Sequence, residues 1–508
     1  MRKKLDTLDG ETFDVAIIGA GANGAAAARE LAAAGYRTLL VDKGDFASGS
    51  SSRSSRMISC GVHYLQPVSS VSKFLGNPKK SAAALRMARR AMQARTNLVA
   101  SMPDRVQPID YFMPVYRSAP YAPWQVSAAF RMLSLLGGRG LSLNYHSLRP
   151  AQALRNPLLR HLRAHDELAG VAAYRDYLME WPERIVVDAV LDAEDMGATV
   201  RNHTAVTRLR RQSDGLWHLN LADAPVSGAE ANVTAEFVLN LAGIWIDEVN
   251  RRTDAQIGRK VTVSKGAHIA VQLPPDCAGQ GISTLSRQGE GFTVIPTRGL
   301  HSLGPTWTIH EGDPDDIRPL EADIAWLLDE ANYLLPGLAL KRSDVVFAWA
   351  GARPLTYDPA IPTGKKSREI RDLGPEGAPN IMAMTGGPIM TYRSAGTELT
   401  RLIEARRPPA GKPQSLAWTS RLPADVAAYA ATAAKTEQVE TLADLMFRRI
   451  GLGWSKNMGA AQARQIAETV APALNWDGAR IDAEVRQYMQ YLAEHHAFSP
   501  PEGEGTQR

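Results

Sequence analysis

Phe13-Asp14-Val15-Ala16-Ile17-Ile18-Gly19-Ala20-Gly21-Ala22-Asn23-Gly24 is the stretch that decides the fold. An apolar run ends in a G-x-G-x-x-G turn. An alanine-rich segment follows to Gly35, with Arg29 and Glu30 for its wet face, and then a second apolar run, Tyr36–Asp42. Strand, helix and strand within about 30 residues make the βαβ unit of a parallel sheet. Each glycine has its own task. Gly19 allows the tight turn, Gly21 removes the side chain where a pyrophosphate must approach the backbone, and Gly24 lets helix and strand pack closely. The helix start adds unpaired N–H groups and the positive end of a dipole. Asp42, closing the second strand, can accept hydrogen bonds from ribose hydroxyls. The spacing predicts a dinucleotide site.

Working outward, a Ser/Gly-rich loop occupies Ser48–Ser55, and residues 79–100 read as a basic helix carrying Lys79, Lys80, Arg86, Arg89, Arg90 and Arg95. Residues 123–141 combine Trp124, Phe130, Met132, Leu133, Leu135 and Leu136. Arg184–Gly197 reads as a helix, Thr199–Arg210 as one strand that includes Val206, and Phe237–Ala242 as a short apolar strand ending at Gly243. Residues 261–273 and 291–310 are strand-rich, and a helix is expected at about 319–335. Pro408, Pro409 and Pro413 mark a linker, with helical patterning over 423–496 beyond it. The tail Ser499–Arg508 reads as disordered. The division expected is a main region at 13–407 and a helical cap at 420–497.

Composition narrows the classes. Among 508 residues, 44% are hydrophobic and 22% charged, which is globular usage and excludes a low-complexity or disordered chain. A net charge of +5, from 58 basic against 53 acidic residues, is too weak for a dedicated nucleic-acid binder. Two cysteines, Cys60 and Cys277, build neither a disulfide framework nor a Cys-rich metal site, and they suit a reducing cytosol. The basic start Met1-Arg2-Lys3-Lys4 leads into Asp6, Asp9, Glu11 and Asp14 rather than an apolar signal-peptide core, and no run reaches the ~18 apolar residues of a membrane span. A cytoplasmic protein, able to lie on a membrane face, is the expectation.

The glycine turn does not itself decide between NAD and FAD. Its place near the N-terminus, the Ser-rich loop after the second strand, and the late strand Val238-Leu239-Asn240-Leu241-Ala242-Gly243 suit an extended FAD. These and further segments, in order along the chain, resemble the FAD-dependent glycerol-3-phosphate dehydrogenases of the D-amino-acid-oxidase-like superfamily. Gly19–Ala25 matches the glycine loop, including Asn23, and Ser50-Ser51-Ser52-Arg53-Ser54-Ser55-Arg56 matches the serine segment. Asn240-Leu241-Ala242-Gly243-Ile244-Trp245 matches N-x-A-G-x-W, Lys265-Gly266-Ala267-His268-Ile269 matches K-G-x-H-I, and Gly351-Ala352-Arg353-Pro354-Leu355 matches G-x-R-P-L. Gly386–Arg393 resembles G-G-K-x-x-T-Y-R, and Phe447–Gly453 resembles the arginine- and glycine-containing motif of the family's cap.

The resemblance implies an α/β fold: a parallel FAD-binding sheet, a mainly antiparallel sheet over the substrate, and a C-terminal helical cap. It implies oxidation of a secondary alcohol to a ketone, with hydride passing to the flavin and electrons on to a quinone. It also implies peripheral membrane contact, through the basic helix and the apolar 124–136 segment, and leaves room for a homodimer. By the match, Arg353 anchors an anionic substrate with its guanidinium fork, and His268 takes the hydroxyl proton. The match assigns the cofactor to Gly19, Gly21, Asn23, Gly24, Asp42, Ser51, Ser52, Val206, Ala242, Gly243, Gly386, Gly387 and Thr391. The Thr385-Gly386-Gly387 turn is expected to point backbone N–H groups at the flavin's pyrimidine end.

The departures gather at the substrate end. His63 stands where the family has Arg, Pro388 where it has Lys, Ser59-Cys60 for His-Gly, and Gly304-Pro305-Thr306-Trp307 for G-T-T-D. Two fixed cations are missing, with His63 expected to become protonated beside an anion. A hydrogen bond to a charged group is worth about 1.5–3 kcal/mol, so losing two weakens binding several hundredfold or more. A polyol phosphate related to glycerol 3-phosphate, or a less anionic hydroxylated metabolite, then becomes the expected substrate. An amino- or hydroxy-acid oxidase on the same fold, with Arg353 gripping a carboxylate, and a flavin-binding protein with a decayed catalytic end are the competing readings.

Overall fold

The structure, a computed structural model, describes residues 2–65, 76, 78–137, 140–223, 228–416, 421 and 425–498. The expectation for Ser499–Arg508 lies outside these. Two sheets organise the chain. In the first, the strands Ile381–Thr385, Glu230–Asn240, Thr12–Ile18, Thr38–Val41 and Thr199–Arg201 run parallel in that order, with Glu369–Asp372 antiparallel at one edge. The opening strand, Thr12–Ile18, has Thr38–Val41 on one side and Glu230–Asn240 on the other. A crevice therefore opens at its C-terminal tip, where open α/β sheets bind ligands. The helix Ala22–Ala34 crosses between the first two strands and stops at Gly35, whose φ of 99° supplies the left-handed cap that a Cβ would disfavour.

The one strand expected over Thr199–Arg210 is two. Thr199–Arg201 ends the parallel sheet. The chain then turns at Asn202–His203 and returns as Thr204–Arg211, antiparallel to Trp217–Asp223. Asn202 donates to Asp45 Oδ1 (2.8 Å) and to the Gln438 carbonyl (2.6 Å), which fixes the turn. The late strand is longer than expected, at Glu230–Asn240. The second sheet is mainly antiparallel and takes in Val261–Val271, Gly291–Thr297, Leu300–Gly304, Val345–Asp358, Val106–Tyr116 and Leu168–Met179. The basic helix spans Pro78–Ser101, but Arg95 is not on its wet face. It is fully buried, paired with Asp176 and bonded to the Leu141, Ser142 and Arg175 carbonyls. No helix of the described residues is long and apolar enough to cross a membrane.

Beyond the proline-rich stretch come Val426–Thr436, a π-helical turn Leu445–Arg449, Ala463–Leu474 and Gly478–His496. These helices share one apolar cluster with Ala270, Leu300, Phe347 and Trp349 of the second sheet. They are also bound to the first sheet by charge. Asp45, in the loop after the second strand, takes Arg449 in a two-toothed bridge (2.8 and 2.9 Å) and also pairs with Arg448. Arg448 pairs onward with Asp444, and Asp444 with His203 at 2.9 Å. Asp45, His203 and Asp444 could by spacing hold a cation, but Arg448 and Arg449 already supply the positive charge there.

Removing one member of a buried pair strands its partner, at a cost of about 3–5 kcal/mol. Asp45→Ala is accordingly expected to lower the thermal midpoint and expose the cap to protease. An unchanged midpoint would mean that the apolar cluster alone holds the cap. The His203 imidazolium is pushed up to about 9: burial alone would lower it, and Asp444, then Asp45, override that. A raised pKa in the folded state gives stability that is full below the ordinary 6.5 and lost as pH rises through about 9. Melting curves at stepped pH are expected to fall across that window in the native chain and to flatten in His203→Asn.

Candidate active site

A cavity of about 1160 Å³ runs from the glycine turn to the face of the second sheet. At its first end, Gly19 has φ +105°, and a Cβ there would meet the Leu241 carbonyl oxygen at 2.6 Å and the Ala242 Cα at 2.8 Å. Its smallness thus serves the crossing of two strand tips as well as the turn. A Cβ on Gly24 would lie 1.8 Å from the Gly19 oxygen, so Gly24 is a packing residue and does not line the cavity. Gly21 faces open space limited only by Ser51 Oγ at 3.1 Å, and Ser51 accepts the Ala22 N–H at 2.9 Å.

Asp42 lines the cavity, yet both its oxygens are engaged: Oδ2 by the Ala20 N–H (2.6 Å) and Oδ1 by the Gly44 N–H (2.9 Å). Burial pushes its pKa up to about 6, against those two donors. Its first task is to tie the glycine turn to the second strand; the lone pairs left over face the cavity. Asn23, Val206, Ala242 and Gly243 also line the wall, the Val206 carbonyl being taken by Arg252. Ser52 does not reach it: its hydroxyl is turned back to the Ser48 and Gly49 carbonyls.

The Gly386-Gly387 turn differs from expectation. Both glycines line the cavity at φ 68° and 85°, but their N–H groups are spent, on the Pro354 carbonyl (2.7 Å) and the Lys366 carbonyl (3.2 Å). Thr391 is off the cavity wall, its hydroxyl donating to the Pro388 carbonyl at 2.8 Å. Pro388 has no N–H. The N–H groups heading this helical run are therefore those of Ile389 and Met390, both on the cavity wall, and the first donors of a helix have no intrahelical acceptor.

The two motifs of the second sheet turn out to be one antiparallel pair. Ser264 lies opposite Arg353, Gly266 opposite Gly351, and His268 opposite Trp349. Period two then puts Arg353 and His268 on the same face, four strand residues or about 13 Å apart, with a bare glycine pair between them. Into that gap fits the serine loop: a Cβ on Gly351 would meet the Arg53 carbonyl oxygen at 2.4 Å. His268 is buried and stacked on Trp349, with centroids 5.0 Å apart, and both ring nitrogens lack a hydrogen-bond partner. Burial, then Arg353 and Arg56, push its pKa down to about 3, so the ring is neutral.

Arg353 has no hydrogen-bond partner among the described residues. Its guanidinium carbon sits 3.9 Å from the centre of the Trp307 ring, and burial brings its pKa down to about 10. His63 is exposed on the cavity wall beside Tyr64, and desolvation, then Lys366 and Arg353, lower its pKa. Lys366 and Arg353 oppose the proton that His63 is expected to gain beside an anion. Lys366 is a residue that the motifs did not mark. Its ammonium lies 4.4 Å from the same Trp307 ring.

Backbone packed too closely at Gly19 and Gly24 for any Cβ, an open approach at Gly21, a helix start, and a buried imidazole whose two nitrogens have no partner among the described residues fit an extended flavin dinucleotide better than a small ligand. Gly24→Ala is expected to abolish the yellow 450 nm absorbance of the purified chain, whereas Gly21→Ala, whose Cβ meets only a serine hydroxyl, is expected to retain part of it. Equal flavin content in both variants would sink this account of the cradle.

Residues 14–401 match the family model described as FAD dependent oxidoreductase. The glycerol-3-phosphate dehydrogenase of Synechocystis is 29% identical over 401 residues, covering 76% of this chain and 69% of its own. Glycerol-3-phosphate dehydrogenase 2 of Mycobacterium tuberculosis is 27% identical and covers 96% of this chain and 88% of its own. Among solved structures, the glycerol-3-phosphate dehydrogenase of Bacillus halodurans complexed with FAD superposes with a TM-score of 0.74 at 19% identity, over 96% of each chain. With the glycine cradle and the two-sheet architecture in place, the match over most of the chain settles the family: this protein belongs to the FAD-dependent oxidoreductases.

Proposed function

We propose that the chain is a dehydrogenase oxidising the secondary hydroxyl of glycerol 3-phosphate, or of a closely related polyol phosphate, to a ketone. The observation that carries this is the pairing, on one face of one strand pair, of Arg353 with His268, a guanidinium and a neutral imidazole that have no hydrogen-bond partner among the described residues. When bound, FAD supplies the two-electron acceptor for such an oxidation. Gly21, Asn23 and the helix start would hold its diphosphate, Asp42 its ribose, Val206 its adenine side, and Ala242, Gly243, Ile389 and Met390 the remainder.

Arg353 anchors the substrate's anionic group and so fixes where the carbinol lies. His268 accepts the hydroxyl proton as the carbinol carbon gives up its hydride, which accounts for both hydrogens lost. Burial, then the Arg353 charge, keep His268 a weak base. An anion on Arg353 cancels that charge and raises the basicity of the imidazole, so an anionic substrate improves its own proton acceptor. Anaerobic bleaching of the flavin by glycerol 3-phosphate is the expected result. Arg353→Met is expected to raise KM about a hundredfold, and His268→Gln to lower kcat by about 10²–10³ with the fall of activity on the acid side lost. Bleaching by amino or hydroxy acids with peroxide formation would move the protein to the oxidases. No bleaching by any of these would mark a binding protein.

The electron acceptor we infer is a quinone, reached at a membrane face. On the helix Pro123–Leu136, Trp124, Ala128, Arg131 and Leu135 share one side at helical spacing, with Trp124 70% and Leu135 82% exposed. The helix Pro78–Ser101 packs beside it and exposes Arg86, Arg89 and Arg90. Apolar anchors beside cations suit an anionic lipid surface. Co-sedimentation with phosphatidylglycerol vesicles is expected for the native chain and is expected to be lost in a Trp124→Ser, Leu135→Ser double variant. Binding unaffected by the pair would remove this face from consideration.

A further inference from the structure

We propose that Lys366 and Arg353, gathered on the indole of Trp307, form the anion clamp of this site, and that Lys366 is the residue that selects a phosphorylated polyol over an unphosphorylated one. The proposal rests on the polyol-phosphate reading given above and names how that substrate class is recognised.

The two cations come from different segments. Arg353 projects from the strand Val345–Asp358. Lys366 follows the strand Ile361–Lys365, which turns back antiparallel on it. Both charged ends lie over one ring, with the guanidinium carbon 3.9 Å and the ammonium 4.4 Å from its centre. The ring is fixed by its Nε1–H donating to the Gly291 carbonyl at 3.2 Å. An aromatic ring attracts cations, so the indole holds each of the two near it. The carboxylate of Glu290 is 3.9 Å from the ammonium, a pair screened by water with side chains 56% and 47% exposed, and it is one negative charge against two cations. The neighbouring imidazole of buried His268 is neutral, and desolvation, then these same two cations, lower the pKa of His63. What remains is a positively charged corner of the cavity with its donors unspent.

The backbone shows why the lysine lies here. The Lys366 carbonyl accepts the Gly387 N–H at 3.2 Å, which pins this residue beside the Gly386-Gly387-Pro388 turn. Position 388 is where the resemblance calls for a lysine and this chain has a proline. An ammonium lost from one segment is thus supplied by the segment bonded to it. Replacing the expected aspartate by Trp307 acts in the same direction, since it removes a negative charge from the corner and supplies the platform. A phosphate dianion offers oxygens to both cations, whereas a neutral polyol offers neither a charge to hold nor a reason for the pair.

The test uses the FAD-loaded chain and its Lys366→Met and Lys366→Arg variants, titrated calorimetrically with inorganic phosphate and assayed with glycerol 3-phosphate and with glycerol. Lys366→Met is expected to weaken phosphate binding about tenfold or more and to raise KM for glycerol 3-phosphate by a similar factor without changing KM for glycerol. Lys366→Arg is expected to recover most of the phosphate affinity. Phosphate binding equal in Lys366→Met and the native chain overturns the proposal. Phosphate binding that depends on Lys366 in a protein that oxidises no polyol phosphate upholds the clamp and overturns the reaction assigned to the site.

Discussion

Everything in this molecule hangs on a crossing of backbones too close for side chains. The tip of the opening strand passes the tip of Glu230–Asn240 so tightly that a methyl group on Gly19 would penetrate the Leu241 peptide, while the following helix rests on Gly19 through Gly24. Contact at this distance leaves the helix one direction in which to leave the turn. Its first N–H groups are thereby aimed into the crevice between the strands, where a diphosphate is best served. Asp42 locks the arrangement by accepting the Ala20 and Gly44 N–H groups together. It keeps the turn and the second strand in register even though burial works against its charge.

The second dependency is electrostatic. The loop carrying Asp45 leaves the second strand within three residues of Asp42, and its carboxylate is the meeting point of Arg448 and Arg449 from the cap. The nucleotide end and the cap are therefore not free to move independently. Shifting the cap would uncover two arginines and a carboxylate that are otherwise fully compensated, a far steeper cost than separating apolar faces of similar size. The same chain of charges continues through Asp444 to His203, whose neighbour Thr204 and nearby Val206 form the cavity wall. Cap position and cofactor-wall geometry are coupled by this one network.

How far the sequence could be read follows from what kind of force acts at each place. The βαβ opening, the helix stop at Gly35 and the late strand at residues 238–240 depend on local periodicity and on glycine sterics, and those are written in adjacent residues. The break at Asn202–His203 depends on Asp45 and Gln438, residues remote in sequence, so a run of strand-formers from 199 to 210 looks continuous. Arg95 looks like one more cation on a basic helix because nothing local announces Asp176, its buried partner. At the site, Arg353 and His268 are marked by their motifs, but their alignment on one face needs the strand register. Ser52, Thr391 and the Gly386 and Gly387 amides fall away from the cofactor wall for a shared reason. A polar group in a tight turn bonds first to the carbonyls nearest it. Lys366 carried no signal, since Lys365-Lys366 between polar neighbours reads as a solvated turn.

The two ends of the cavity also differ in how freely they can vary. The cofactor end is built from backbone: absent side chains, N–H groups and one tied carboxylate. Backbone geometry has no substitute, because each missing Cβ at Gly19 or Gly24 is required by an atom already in place. The substrate end is built from long side chains bearing charge, and a charge can be delivered to one point from several positions in the chain. Arg353, from one strand, and Lys366, just past the end of the strand beside it, both reach Trp307, as side chains with flexible stems can. A cavity of this construction keeps its oxidising cofactor end under strict steric control while its substrate end is remodelled by exchanging which residues carry the charge. At position 63 the histidine that this chain carries has its pKa lowered by desolvation and then by Lys366 and Arg353.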